Sequence, residues 1–228
     1  MKRSRPKPSF ELTAGCLCLD FANTLDERSS DHPQDKLQGY PALVAFGQQT
    51  GVFTTAEARR LEREGLERQT EASVLFREAL GLREMVYRIM SAVAAGNAAS
   101  AEDVADFNAL FGQLHAGSIV PAPGQAAWRY QESTSGGSRL IERIVRSAAE
   151  VLISDGIRRV KRCAAGTCSW LFLDRSRSRN RRWCEMRTCG SRNKARTYYQ
   201  RKTAAEKTAS EKPMASDRRT QEALRSPR

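Results

Sequence analysis

Apolar residues recur at helical spacing through most of the first 155 positions. The clearest run spans roughly 72–95, where Leu75, Ala79, Leu82, Val86, Ile89 and Val93 step by four and three residues and share one face. Leu140, Ile141, Ile144, Val145, Ala148, Val151 and Leu152 trace a second such face, up to about Ser154. Val104, Phe107, Phe111 and Leu114 trace a third, behind an N-capping Ser100. Two further helices are marked by their ends. Pro41 suits the first turn of "PALVAFGQQTG", which Gly51 stops, and Thr54 or Thr55 caps a helix running to about Arg68.

Other patterns break the helical rhythm. The run "CLCLDFANT" (16–24) is continuously apolar and reads as a buried strand ending in a polar turn at Asn23-Thr24. No ligand spacing joins Cys16 and Cys18 to the other cysteines, and each is expected to have a core-packing role. Residues 26–39 read as a loop, and residues 118–133 as a hairpin around Pro123-Gly124. Gly136-Gly137 break the chain before the last helix of this region. Beyond residue 158 the apolar material shrinks to Trp170, Leu171, Phe172, Leu173 and Trp183. The expected organisation is therefore a basic disordered arm (1–11), a mostly helical domain with a few short strands (12–155), a small module (158–202) and a polar, disordered tail (203–228). A module that size cannot be held by burial alone and needs a staple.

Charge sharpens that division. The net charge is +12, but residues 161–202 alone contribute +11, from 13 Lys+Arg against 2 Asp+Glu. A local excess of that kind is a footprint for a polyanion. Neither a membrane-length apolar run nor a signal peptide is recognisable, which points to a soluble, cytoplasmic setting.

The staple lies in the same segment. Cys163 and Cys168 are spaced C-x4-C, Cys184 and Cys189 repeat that spacing, and fifteen residues separate the pairs. Two chelate loops of two thiolates each complete a closed tetrahedron, the shell that one structural Zn2+ requires. Metal binding of that type supplies about 10–16 kcal/mol of folding free energy. On spacing alone, four buried free thiols, two disulfides or an iron–sulfur cluster stand as the alternatives. Around the pairs, Arg175, Arg177, Arg179, Arg181 and Arg182 form a basic loop. Arg192, Lys194 and Arg196 follow, with Arg192 and Arg196 at i, i+4 on any helix there. Forked guanidinium groups match phosphates and guanine edges. Asp174 reads as a cap or as the ion-pair partner of an arginine, and Arg192 as either a nucleic-acid contact or a support of the zinc shell.

The stretch "CAAGTCSWLFLDRSRSRNRRWCEMRTCGSRNKAR" resembles the CGNR zinc finger, with Ser191 where that family has Asn. "LCLDFANTL" and "LREMVYRI" resemble the ABATE domain that usually precedes such a finger. The resemblance implies an α+β fold, mostly helical, followed by a treble-clef-like finger. In that finger Cys163 and Cys168 form the knuckle, and Cys184 and Cys189 lie near the start of a helix. It also implies stress-response transcription regulation, with the finger on duplex DNA and an unidentified small-molecule or protein effector at the N-terminal domain. If the chain is bacterial, that setting is the nucleoid. An RNA- or ribosome-associated protein and a protein-interaction adaptor are the competing readings. An enzyme is not expected: His32 and His115 are the only histidines, and the chain has no metalloprotease, nucleophile-elbow or phosphate-loop motif.

Overall fold

The computed structural model describes residues 8–28, 30–114, 117–122, 125–130 and 136–210. Helices dominate: α1 Leu17–Ala22, α2 Tyr40–Gln49, α3 Thr55–Glu67, α4 Gln69–Ala94, α5 Ala101–Leu114, α6 Gly136–Ile153 and α7 Ser191–Ser210. Strands are short and pair as three antiparallel ladders: β1 Leu25–Asp26 with β2 Gln34–Asp35, β3 Gly117–Ala122 with β4 Gln125–Tyr130, and β5 Val160–Arg162 with β6 Leu171–Leu173. The fold is therefore α+β and mostly helical, as the periodicity predicts. By contacts the chain divides into Met1–Gly190 and Ser191–Arg228.

The expected helices α2 to α6 are present, and local chemistry explains their ends. Thr54 accepts from the Glu57 amide while Glu57 accepts from the Thr54 amide, a reciprocal capping box for α3. The Ser100 hydroxyl accepts from the Asp103 amide at the start of α5. Gly51 takes φ +76 after α2, a left-handed stop that suits glycine. On α4 the predicted face is the buried one, with Ala79, Leu82, Val86 and Ile89 in the core. Val104 of α5, predicted inward, is instead exposed.

Two local readings change. Residues 17–22 form helix α1 rather than a strand. This six-residue helix is enclosed nearly all round, with Cys18, Leu19, Phe21 and Ala22 fully buried against α4 and α6. A short run with a single polar residue, Asp20, carries too little period to read. Gly136 and Gly137 do not break the chain; they open α6. A Cβ on Gly137 would lie 2.3 Å from Leu75 Cδ2, and one on Gly136 would lie 2.8 Å from Leu61 Cδ2. Their bareness lets α6 start against α3 and α4.

The largest departure concerns the core. Two separate interiors are expected, yet one continuous apolar cluster runs from Phe10, Phe21 and Phe46 to Leu171, Phe172 and Cys184. All three residues of β6 are buried. Their backbone is tied into the N-terminal region: Asn23 Nδ2 donates to the Leu171 carbonyl (2.8 Å), and the Leu171 amide donates to Asn23 Oδ1 (3.0 Å). The Leu173 amide donates to the Ala14 carbonyl at 2.7 Å. The Tyr87 hydroxyl on α4 donates to the Ser169 carbonyl (2.9 Å), and the Arg162 guanidinium donates back to that hydroxyl (3.2 Å). Strands too short to bury themselves are thus seated in the wall of the helical body.

At the other end of the chain, helix α7 continues to Ser210, eight residues past the expected end of the module. Of the arm expected to be disordered over 1–11, Phe10 is instead buried in the core, its amide donating to Gln49 Oε1 at 3.0 Å; residues 1–7 and 211–228 lie outside the described residues. Among the described residues, no helix is long and apolar enough to cross a membrane.

Candidate metal centre and basic surface

The β5–β6 hairpin brings the first cysteine pair to its tip. The Cys163 amide donates to the Trp170 carbonyl (2.9 Å) across the ladder, and the Cys168 amide donates to the Ala165 carbonyl (2.9 Å), which folds the knuckle back. The second pair arrives on the return loop, where the Ala164 amide donates to the Arg182 carbonyl at 2.8 Å. A π turn, Met186–Gly190, carries Cys189. A Cβ on Gly190 would lie 2.4 Å from Sδ of the exposed Met186 side chain, which packs over the turn.

The four sulfurs converge. All lie within 4.8 Å of one another, with Cys168–Cys184 at 3.8 Å and Cys184–Cys189 at 3.6 Å. A tetrahedral zinc with bonds of about 2.3 Å requires ligand sulfurs about 3.8 Å apart. A cluster of several irons would hold its cysteines farther apart, because metal and sulfide atoms lie between them. No disulfide joins them, and all six cysteines are free. Four thiols this close cannot all ionise unaided. The contacts with Cys168 and Cys184 hold Cys163 down, to about 2, while the contact with Cys163 pushes both partners up. A divalent cation is what allows all four to serve as thiolates. The shell is closed by burial of Cys163, Cys184 and Cys189 and by the Cys184 amide, which donates to Cys163 Sγ at 3.4 Å. The residues fit one structural Zn2+ and leave no fourth position for water.

The arginines of the loop between the pairs divide into two sorts. Arg175, Arg177, Arg179 and Arg182 are exposed, with Arg182 beside the Trp183 ring at 5.4 Å. Arg181 faces inward. Its guanidinium donates to the Trp183 carbonyl (2.9 Å), the Thr13 carbonyl (3.2 Å) and the Cys184 carbonyl, and lies 4.6 Å from the centre of the Phe172 ring. Its donors are already used inside the protein, so it belongs with the supports of the metal loop rather than with the free basic surface. Asp174 organises the rest of the loop. Fully buried, it accepts from Lys161 Nζ (2.7 Å), the Ser176 amide (3.0 Å) and the Arg181 amide (3.0 Å). Burial opposes its charge, but Lys161 and Ser176 outweigh burial and hold its carboxyl well below the usual range. The ion-pair partner is thus a lysine, where the sequence suggests an arginine.

Helix α7 is a basic helix in its own right. Arg192, Lys194, Arg196, Arg201 and Lys202 are exposed, as are Tyr198 and Tyr199, whose rings stand edge to face at 5.7 Å. Arg192, Arg196, Tyr199 and Thr203 follow at i, i+4, i+7 and i+11 and share a face. Ser191, the residue that departs from the CGNR tetrapeptide, is the first residue of this helix. His32 is exposed in the β1–β2 loop, and His115 lies outside the described residues.

A four-cysteine cluster on a knuckle hairpin and its return loop fits a structural zinc finger. The finger's family model, described as "CGNR zinc finger", matches residues 159–202. The model described as "Putative stress-induced transcription regulator", ABATE, matches residues 15–155, and the chain belongs to that family. A search of curated proteins found no match.

Proposed function

We propose that the chain is a DNA-binding transcription regulator whose zinc finger supplies the contact surface. The observation that carries this reading is the split among the arginines. The loop keeps Arg175, Arg177, Arg179 and Arg182 exposed, while Arg181 and Asp174 spend their polar groups holding that loop in shape. Exposed guanidinium groups on a metal-anchored frame suit a phosphate backbone. Helix α7, with Arg192, Lys194 and Arg196 exposed, is the element suited to a major groove. In this reading the chain works in the cytoplasm and carries no catalytic step. Its helical body receives an effector, for which the open groove of about 850 Å³ beside Tyr40, Leu61, Glu64 and Leu75 is the candidate place.

Titration of the zinc-loaded protein against duplex DNA and RNA pools over a range of salt tests the reading. Affinity for duplex DNA should fall with salt, with a log–log slope of about −0.9 per phosphate contact. Replacing Arg175, Arg177, Arg179 and Arg182 together by Ala should flatten that slope and weaken all sequences alike, with zinc retained. Arg196→Ala should instead relax sequence preference. A preference for RNA would favour the RNA-associated reading, and binding no better than a charge-matched control would favour an adaptor.

A further inference from the structure

On a strand, Cys16 and Cys18 would share one face about 7 Å apart along the chain. At the start of α1 their sulfurs lie only 3.6 Å apart. They are not part of the zinc centre, whose cluster contains only Cys163, Cys168, Cys184 and Cys189 among the described residues.

The two thiols are unequal. Cys16 is partly exposed, whereas Cys18 is fully buried and its amide donates to the Ser147 hydroxyl at 3.2 Å. The exposed basic loop lies alongside: a Cβ on neighbouring Gly15 would be 3.8 Å from Arg175 Nε. Gly15 itself takes φ +91, the left-handed conformation that turns the chain into α1. Contact with Cys18 lowers the Cys16 thiol from its ordinary value, against burial and the Asp20 carboxylate, which raise it, with a smaller lowering from Arg175; contact with Cys16 and burial push Cys18 up. An accessible thiol beside a guanidinium, with a protected partner in van der Waals reach, has the layout of an attacking and a resolving cysteine.

We propose that Cys16 and Cys18 form a redox-active dithiol, separate from the zinc centre, that a hydroperoxide closes to a disulfide. The Cys16 thiolate attacks the peroxide, its sulfur is oxidised to a sulfenic acid, and the O–O bond breaks to release hydroxide or an alkoxide. The Cys18 sulfur then attacks the sulfenic sulfur, the S–S bond forms, and water leaves with the Cys18 proton. Two thiols are oxidised and one peroxide is reduced. Closure brings the sulfurs from 3.6 Å to a bond of about 2.05 Å. That movement falls on the segment whose Ala14 carbonyl accepts from the Leu173 amide and whose Thr13 carbonyl accepts from Arg181, the two ties nearest the basic loop.

The test treats zinc-loaded full-length protein with hydrogen peroxide, blocks the remaining thiols, and maps the modified residues by mass spectrometry beside a zinc assay. The expected result is a peptide containing residues 16–18 that is lighter by about 2 Da and resists alkylation until reduced, with zinc retained. In Cys18→Ser the sulfenic acid at Cys16 should persist and be captured by dimedone, while Cys16→Ser should leave Cys18 unreacted. Oxidation of the four zinc ligands while Cys16 and Cys18 remain alkylatable would overturn the proposal. So would a disulfide joining either residue to one of the ligands. The wild-type measurement decides the matter alone should a variant fail to fold.

Discussion

From α2 to α6 the chain holds its shape with helices packed into one core, two of them, α3 and α5, capped at their starts by Thr54 and Ser100. Residues 159–190 have two three-residue strands, a π turn and a loop dense in arginine. The first region is stabilised by area removed from water. The second combines a metal shell, a buried carboxylate and a seat in the first region's core. The contrast shows that a segment with little regular structure of its own can be as firmly placed as a helix bundle, provided its backbone groups find partners elsewhere. It also shows that a strong charge boundary in a sequence need not be a boundary between cores.

Removing zinc is the most severe way to test that shared interior. Stripping the metal with a chelator, or replacing Cys184 by Ala, should do more than loosen the hairpin. Because β6 lines the common core, the helical transition should fall as well, by several kcal/mol and on the order of 10 °C or more. Thermal melts followed by far-ultraviolet circular dichroism would show this. An unchanged helical melt after complete zinc removal would restore the picture of two independent cores.

A smaller loss is expected at the seat itself. Asn23→Ala removes the side chain that pairs with both polar groups of the Leu171 backbone and leaves them buried and unpaired. Denaturant unfolding should show a cost of about 3 kcal/mol, with zinc still bound at equilibrium. A near-neutral Asn23→Ala would mean that the β6 backbone finds other partners.

The smallest effect belongs to Tyr87→Phe. The ring stays beneath the Arg28 guanidinium, 3.9 Å from its centre, while the hydroxyl linking Ser169 and Arg162 is lost. About 1 kcal/mol should be lost, with faster amide exchange confined to the β5–β6 hairpin. Faster exchange spread evenly over α4 would point to a packing defect instead.

Much of the body was legible in the sequence because its helices carry a period and explicit ends, such as the Thr54–Glu57 box and the Pro41 start. The ligand set was legible because paired spacing is a property of the chain itself. Where reading failed, the missing information was tertiary. Residues 17–22 are apolar except at Asp20 because α4 and α6 enclose most of the helix, and one polar residue in six does not reveal a period. Arg181 stands in a run of like residues, and only the fold distinguishes it, by turning it onto Phe172 and the Cys184 carbonyl. Gly136 and Gly137 look like a break but answer to Leu61 and Leu75, which no local pattern connects to them. The shared core is invisible for a similar reason: charge marks surfaces, and the surface changes character at residue 160 while the interior does not.

The seating of β6 against Asn23, Ala14 and Tyr87 makes zinc and the helical body thermodynamically reciprocal. A molecule that tightens the body around that seat raises the affinity of the cysteines for their metal by the same factor that zinc raises the affinity for that molecule. The equilibrium affinity for zinc would therefore be a remote gauge of any such molecule, readable without knowing what it is.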